Sequence, residues 1–106
     1  MLVAAGLALV MLTSCERRTT QEFREDVLRQ DLDTLRKQIG AYTEDKKRAP
    51  QSLDDVVHAG YLRSVPKDPM TNQPNWRLVV DEKRSVIDVH SSSNKTSTEG
   101  TPYSSW

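Results

Sequence analysis

The residues with chemistry to offer are two histidines, one cysteine and a scatter of carboxylates and hydroxyls in a chain of 106 residues. Hydrolysis by a nucleophile needs a hydroxyl or thiol, a base that takes its proton, and a third group that orients the base. His90 is followed by Ser91, Ser92 and Ser93. Neighbours in sequence do not make such a triad, and this adjacency reads as chance. Zinc binding needs cysteines or paired histidines at ligand spacing, and His58 and His90 stand alone. Four glycines, scattered, leave no phosphate-cradling loop. Asn94-Lys95-Thr96 matches a glycosylation sequon and is read as coincidence. No catalytic residue, no metal ligand and no cofactor is expected, and the chain reads as non-enzymatic.

Cys15 is the exception, because its surroundings suit one reaction. Residues 1–14 carry no charged side chain, and Leu2, Val3, Leu7, Leu9, Val10, Met11 and Leu12 make them strongly apolar. The run is shorter than the roughly 18 residues that cross a bilayer comfortably. It has the length of a signal-peptide core. It ends Leu12-Thr13-Ser14-Cys15, which resembles a bacterial lipobox. There the thiol carries a diacylglycerol through a thioether, and small residues before it let a peptidase reach the backbone. The other readings are a plain signal anchor and an ordinary small residue at the end of a membrane helix. The positive residues usual before a signal core are missing, which a start site upstream of Met1 would explain. In the lipid and anchor readings alike, the chain after Cys15 lies outside the cytoplasm and close to a membrane. With a single cysteine, no intrachain disulfide forms. Two segments follow: residues 1–15 as signal peptide or membrane anchor, and residues 16–106 as one domain.

The remaining elements must build that domain. Lysine plus arginine equals aspartate plus glutamate at 15 each, and no basic stripe with interleaved aromatics appears, so nucleic acid is not an expected partner. Phe23, Val27, Leu28, Leu32, Leu35, Ile39 and Tyr42 follow steps of three and four, with one of one. That spacing predicts one long amphipathic helix over residues 19–42, about 36 Å long at about 1.5 Å per residue. Thr19 and Glu22 form a capping box at its start. Arg24, Glu25, Arg29, Asp33 and Lys37 are placed on the water-facing side. Gly40 is read as weakening the last turn or admitting another backbone. A charged turn ends at Pro50. Ser52 then starts a short helix, with Asp55 at the capping-box position and Gly60 as its left-handed cap. Three prolines make residues 63–75 an extended loop. Residues 76–80 and 85–90 read as a β-hairpin with Val86, Ile87 and Val89 packed on the first helix. Residues 91–101 read as a polar loop, mobile or ordered, with Tyr103 and Trp106 tying the chain end back.

The order Tyr42, Asp45, Pro50, Ser52-Leu53, Val56-Val57, Gly60-Tyr61-Leu62, Pro66 and Asp68-Pro69 carries a resemblance. So do Leu32-Asp33-Thr34-Leu35-Arg36 and the ending Tyr103-Ser104-Ser105-Trp106. Residues 27–106 resemble the type II secretion system pseudopilins of the general secretion pathway protein G group, within the type IV pilin superfamily. The resemblance implies an α+β, pilin-like fold, with a long N-terminal helix packed on a small antiparallel sheet. It implies a membrane-anchored subunit whose head faces the bacterial periplasm and whose partners are other pseudopilin or secretion-system subunits, in the inner or the outer membrane. The alternative is a lipoprotein with a pilin-like head that acts as an accessory or binding module outside any filament. The family's mature chain opens on a phenylalanine after a glycine, with a glutamate at its fifth position, and residues 1–18 do not reproduce this. Major pseudopilins also bind calcium in the region after residue 88. Here residues 91–101 hold one carboxylate, Glu99, and with Asp88 they fall short of the oxygen-rich cage calcium takes; calcium is not expected.

Overall fold

The computed structural model describes residues 19–106. Cys15 and the apolar run before it, with the lipidation and anchor readings that rest on them, lie outside the described residues. The architecture is α+β: a long helix, α1 (Thr20–Lys46), a short one, α2 (Leu53–His58), a two-stranded antiparallel sheet of β1 (Arg77–Val80) and β2 (Val86–His90), and a closing 3-10 turn at Tyr103–Ser105.

Helix α1 begins as its sequence predicts. The Thr19 hydroxyl accepts the Glu22 N–H at 3.0 Å, satisfying one of the free donors of the first turn. It ends later than predicted, at Lys46, with Lys47 left-handed at φ 58°. Gly40 is exposed, and no atom lies within 4 Å of where its β-carbon would be, so it neither breaks the helix nor admits a backbone.

The buried stripe of α1 is Glu25, Leu28, Leu32, Leu35, Ile39 and Tyr42. These steps alternate strictly between three and four, which is the rhythm of one helix face against a flat partner. Two expectations change as a result. Phe23 and Val27 are 59% and 44% exposed, because they sit off that line. Glu25, placed in water by its charge, is buried on it.

Helix α2 is capped at both ends. The Ser52 hydroxyl accepts the Asp55 N–H at 3.1 Å. The Asp55 carboxylate reaches back to the N–H of Gln51, one residue before the partner a standard capping box would choose. At the other end Gly60 takes φ 90°, the Gly60 N–H bonds the Val57 carbonyl, and the Tyr61 N–H bonds the Val56 carbonyl. That pair of bonds is the Schellman closure, and it turns Tyr61 and Leu62 back against the core.

The hairpin carries a β-bulge. Val79 pairs with Asp88 but Val80 pairs with Val86, so Ile87 is the extra residue. One extra residue inverts the alternation of faces. Val86 and Val89, three apart, therefore both bury against α1, while Ile87, expected inside, is 53% exposed. The core joins the α1 stripe to Leu53, Val56, Trp76, Val86, Val89 and Tyr103. No helix among the described residues is long and apolar enough to cross a membrane.

Candidate functional site

Residues 91–101 are not a slack connection. They form a polar clamp that returns from β2 to the first turns of α1. Its centre is Glu25. The Thr98 N–H donates to Glu25 Oε2 at 2.9 Å, the Thr98 hydroxyl donates to Oε1, and the Tyr103 hydroxyl donates to Oε2 at 2.7 Å. Gln21, one turn earlier, donates to the Tyr103 oxygen at 2.8 Å and to the Thr96 carbonyl at 3.1 Å. Burial works to raise the Glu25 carboxyl, but the Thr98 hydroxyl and N–H, the Tyr103 hydroxyl and the nearby Arg29 charge outweigh it. The group stays below its ordinary value and ionised. Burial beside that carboxylate pushes the Tyr103 phenol up.

A second layer closes the clamp from outside. Arg29 pairs with Glu99 and lies 4.3 Å from the ring centre of Trp106, a cation–π contact. The Trp106 ring meets Tyr103 edge-on at 5.3 Å between centroids. Arg36, two turns along, bonds Asp88 at 2.9 Å, the Val89 carbonyl at 2.9 Å and the Trp106 backbone oxygen at 3.0 Å. Burial favours a raised Asp88 carboxyl, but the Val89 N–H, the Arg36 guanidinium and His90 together hold it below its usual range.

The other end of the loop is held by Asp68, which is fully buried. Its Oδ1 accepts the Met70 N–H at 2.8 Å, closing the turn that Pro69 begins. Its Oδ2 accepts the Ser91 hydroxyl at 2.6 Å and the Ser92 N–H at 3.2 Å. Asp68 thus caps its own turn and links it to the far loop. Asp31, half-buried on α1, feels burial first and the Asp68 charge second, and both raise its carboxyl.

These contacts place the residues that sequence chemistry singled out. His90 reaches the Trp106 backbone oxygen through Nδ1 and stands 3.6 Å from Asp88, so it is engaged in closing the chain end. His58 is exposed at the end of α2. Ser91 gives its hydroxyl to Asp68 and accepts the Ser93 N–H, a structural use on both sides. Ser92 Oγ is buried without a hydrogen-bond partner among the described residues. Asp88 and Glu99 do not converge: each is held by its own arginine, and those arginines stand seven residues apart on α1. Among the described residues, no group of three or more His, Cys, Asp or Glu side chains is placed to hold a metal ion. The arrangement ties a loop and the chain end to a helix.

Glu25 was the residue that charge alone misplaced. The strict three–four rhythm from Leu28 to Tyr42, continued backward, lands on Glu25 and then Gln21, and that signal was present in the sequence. What it did not contain was the partner set, because Thr98 and Tyr103 are more than 70 residues away.

The described residues thus define a class by architecture: a small α+β head with a long N-terminal helix on a two-stranded antiparallel sheet. No family model, no curated protein and no solved structure matches the chain.

Proposed function

We infer that the protein is a non-enzymatic, membrane-anchored subunit of the pseudopilin kind, associated with type II protein secretion, with its head in the periplasm. One observation carries the reading. The residues behind the resemblance are the ones that brace the head. Tyr42 meets Tyr61 edge-on at 5.8 Å, and the Tyr61 hydroxyl donates to Asp45. The buried Pro50 gives its carbonyl to the Val86 N–H at 2.6 Å, joining the turn after α1 to β2. Gly60 closes α2, and Asp68 pins two loops together. A motif spent on bracing suits a protein whose work is packing and partner contact.

A second reading rests on Leu12-Thr13-Ser14-Cys15: a lipoprotein with the same head, acting as an accessory module outside any filament. The test is the secretion of folded proteins by cells lacking the gene, with and without the gene restored. The subunit reading expects secreted proteins to accumulate in the periplasm of the deletion strain and to leave it again on restoration. Unchanged secretion in the deletion strain would reject the subunit reading.

A further inference from the structure

The outer edge of β1 is open, and its geometry is complementary to itself. The Val89 N–H bonds the Asp88 carboxylate at 2.8 Å, so Leu78 and Val89 form a pair without ladder hydrogen bonds. Ladder bonds then fall at Arg77–His90 and Val79–Asp88, and the N–H and C=O of Leu78 and Val80 point away from β2. Neither residue takes part in any other backbone hydrogen bond among the described residues. Their side chains are 39% and 50% exposed, although they share the face of the sheet that carries Trp76. Beside them runs a hollow of about 550 Å³ whose apolar lining includes Leu53, Val57, Val65, Trp76 and Leu78. Lysine and proline, two residues that blunt natural edge strands, are both missing from the four residues of β1.

The occupant is indicated by charge. The edge reads Arg77-Leu78-Val79-Val80-Asp81, a cation and an anion around three apolar residues. Laid antiparallel on a second copy with Val79 facing Val79, Arg77 comes opposite Asp81 at both ends, and Leu78 comes opposite Val80. This register also matches the free backbone groups. Leu78 and Val80 of facing strands exchange N–H and C=O, giving two reciprocal pairs. Arg77 is exposed and uses one nitrogen on the Ser104 carbonyl, leaving others to donate. Asp81 uses Oδ1 for the Lys83 and Ser85 N–H groups, and Oδ2 has no hydrogen-bond partner among the described residues.

We propose that two copies of this chain pair through β1 about a two-fold axis at Val79, extending the sheet from two strands to four. The axis stands across the sheet and turns the two α1 helices antiparallel. The pair is therefore an alternative to side-by-side anchoring in one membrane, and it goes beyond the subunit reading without depending on it.

The experiment uses the full chain in detergent with Cys15→Ser, so that introduced cysteines are the only thiols. Facing residues of a pair without ladder hydrogen bonds have Cα atoms about 4.5 Å apart, inside the range of about 4.4–6.8 Å that a disulfide spans. Val79→Cys is expected to give a covalent dimer on mild oxidation. Leu78→Cys and Val80→Cys should each link poorly alone and well when mixed. Val80→Lys, at a half-exposed position, should shift the unmodified chain toward monomer in sedimentation while leaving its circular dichroism unchanged. A Val79→Cys chain that links no better than Leu78→Cys alone would overturn the register. A wild-type chain that sediments as monomer at every concentration would overturn the pairing.

Discussion

Glu25 shows how one residue can decide the shape of a loop. A buried carboxylate without partners is costly and gives up its charge. Here three donors from one loop and its following turn meet it, so the charge is kept and the loop is committed to α1. Glu25→Gln retains shape but leaves at least one donor facing an amide nitrogen. The expected loss is about 1.5–3 kcal/mol at neutral pH, in line with hydrogen bonds to a charged group, measured by urea unfolding. The pH dependence has a definite sign. The folded-state carboxyl lies below its ordinary value of 4.5, so its contribution is fully present above that value. The contribution fades as pH falls below 4.5 and through the lower folded value, so wild type and variant should converge in acid. A gap that widened on acidification would show that the carboxylate is not the anchor.

Helix α1 is organised by a line, not by hydrophobicity as such. Leu28 is fully buried and its neighbour Val27 is 44% exposed. Leu28→Ala should therefore cost about 2–5 kcal/mol, the usual range for truncating a core leucine. Val27→Ala should change stability by less than about 0.5 kcal/mol, as surface substitutions do. Chemical denaturation of both variants checks the contrast, and equal losses would mean the stripe is misplaced. The same line explains what the sequence made legible. The helix, its Thr19 cap, α2 with its Ser52 and Gly60 caps, and both strands to within a residue are local matters of period and turn chemistry. The bulge at Ile87 was not legible, because it arises from pairing with β1. The fixed course of residues 91–101 was not legible either. A run of serines and threonines looks like solvent-exposed loop until Asp68 and Glu25 supply buried acceptors. The clamp exists only once residues far apart in the chain are brought together.

At the scale of the molecule, the two arginines Arg29 and Arg36, the hub Asp68 and the Pro50–Val86 bond hold a head in which the chain's last aromatic returns to the face of its first long helix. That head is a bracing design, and its proposed work requires it to be held at a membrane. We propose that the N-terminal segment does the holding, as an apolar anchor in the subunit reading or through a lipid on Cys15 in the lipoprotein reading. Intact-mass and N-terminal peptide analysis of the protein extracted from membranes tests this most directly. The expected result is a membrane-extracted chain that either keeps residues 1–14, which fits the subunit reading, or begins at an acylated Cys15, which fits the lipoprotein reading. A chain that has lost residues 1–15 and carries no lipid would contradict both.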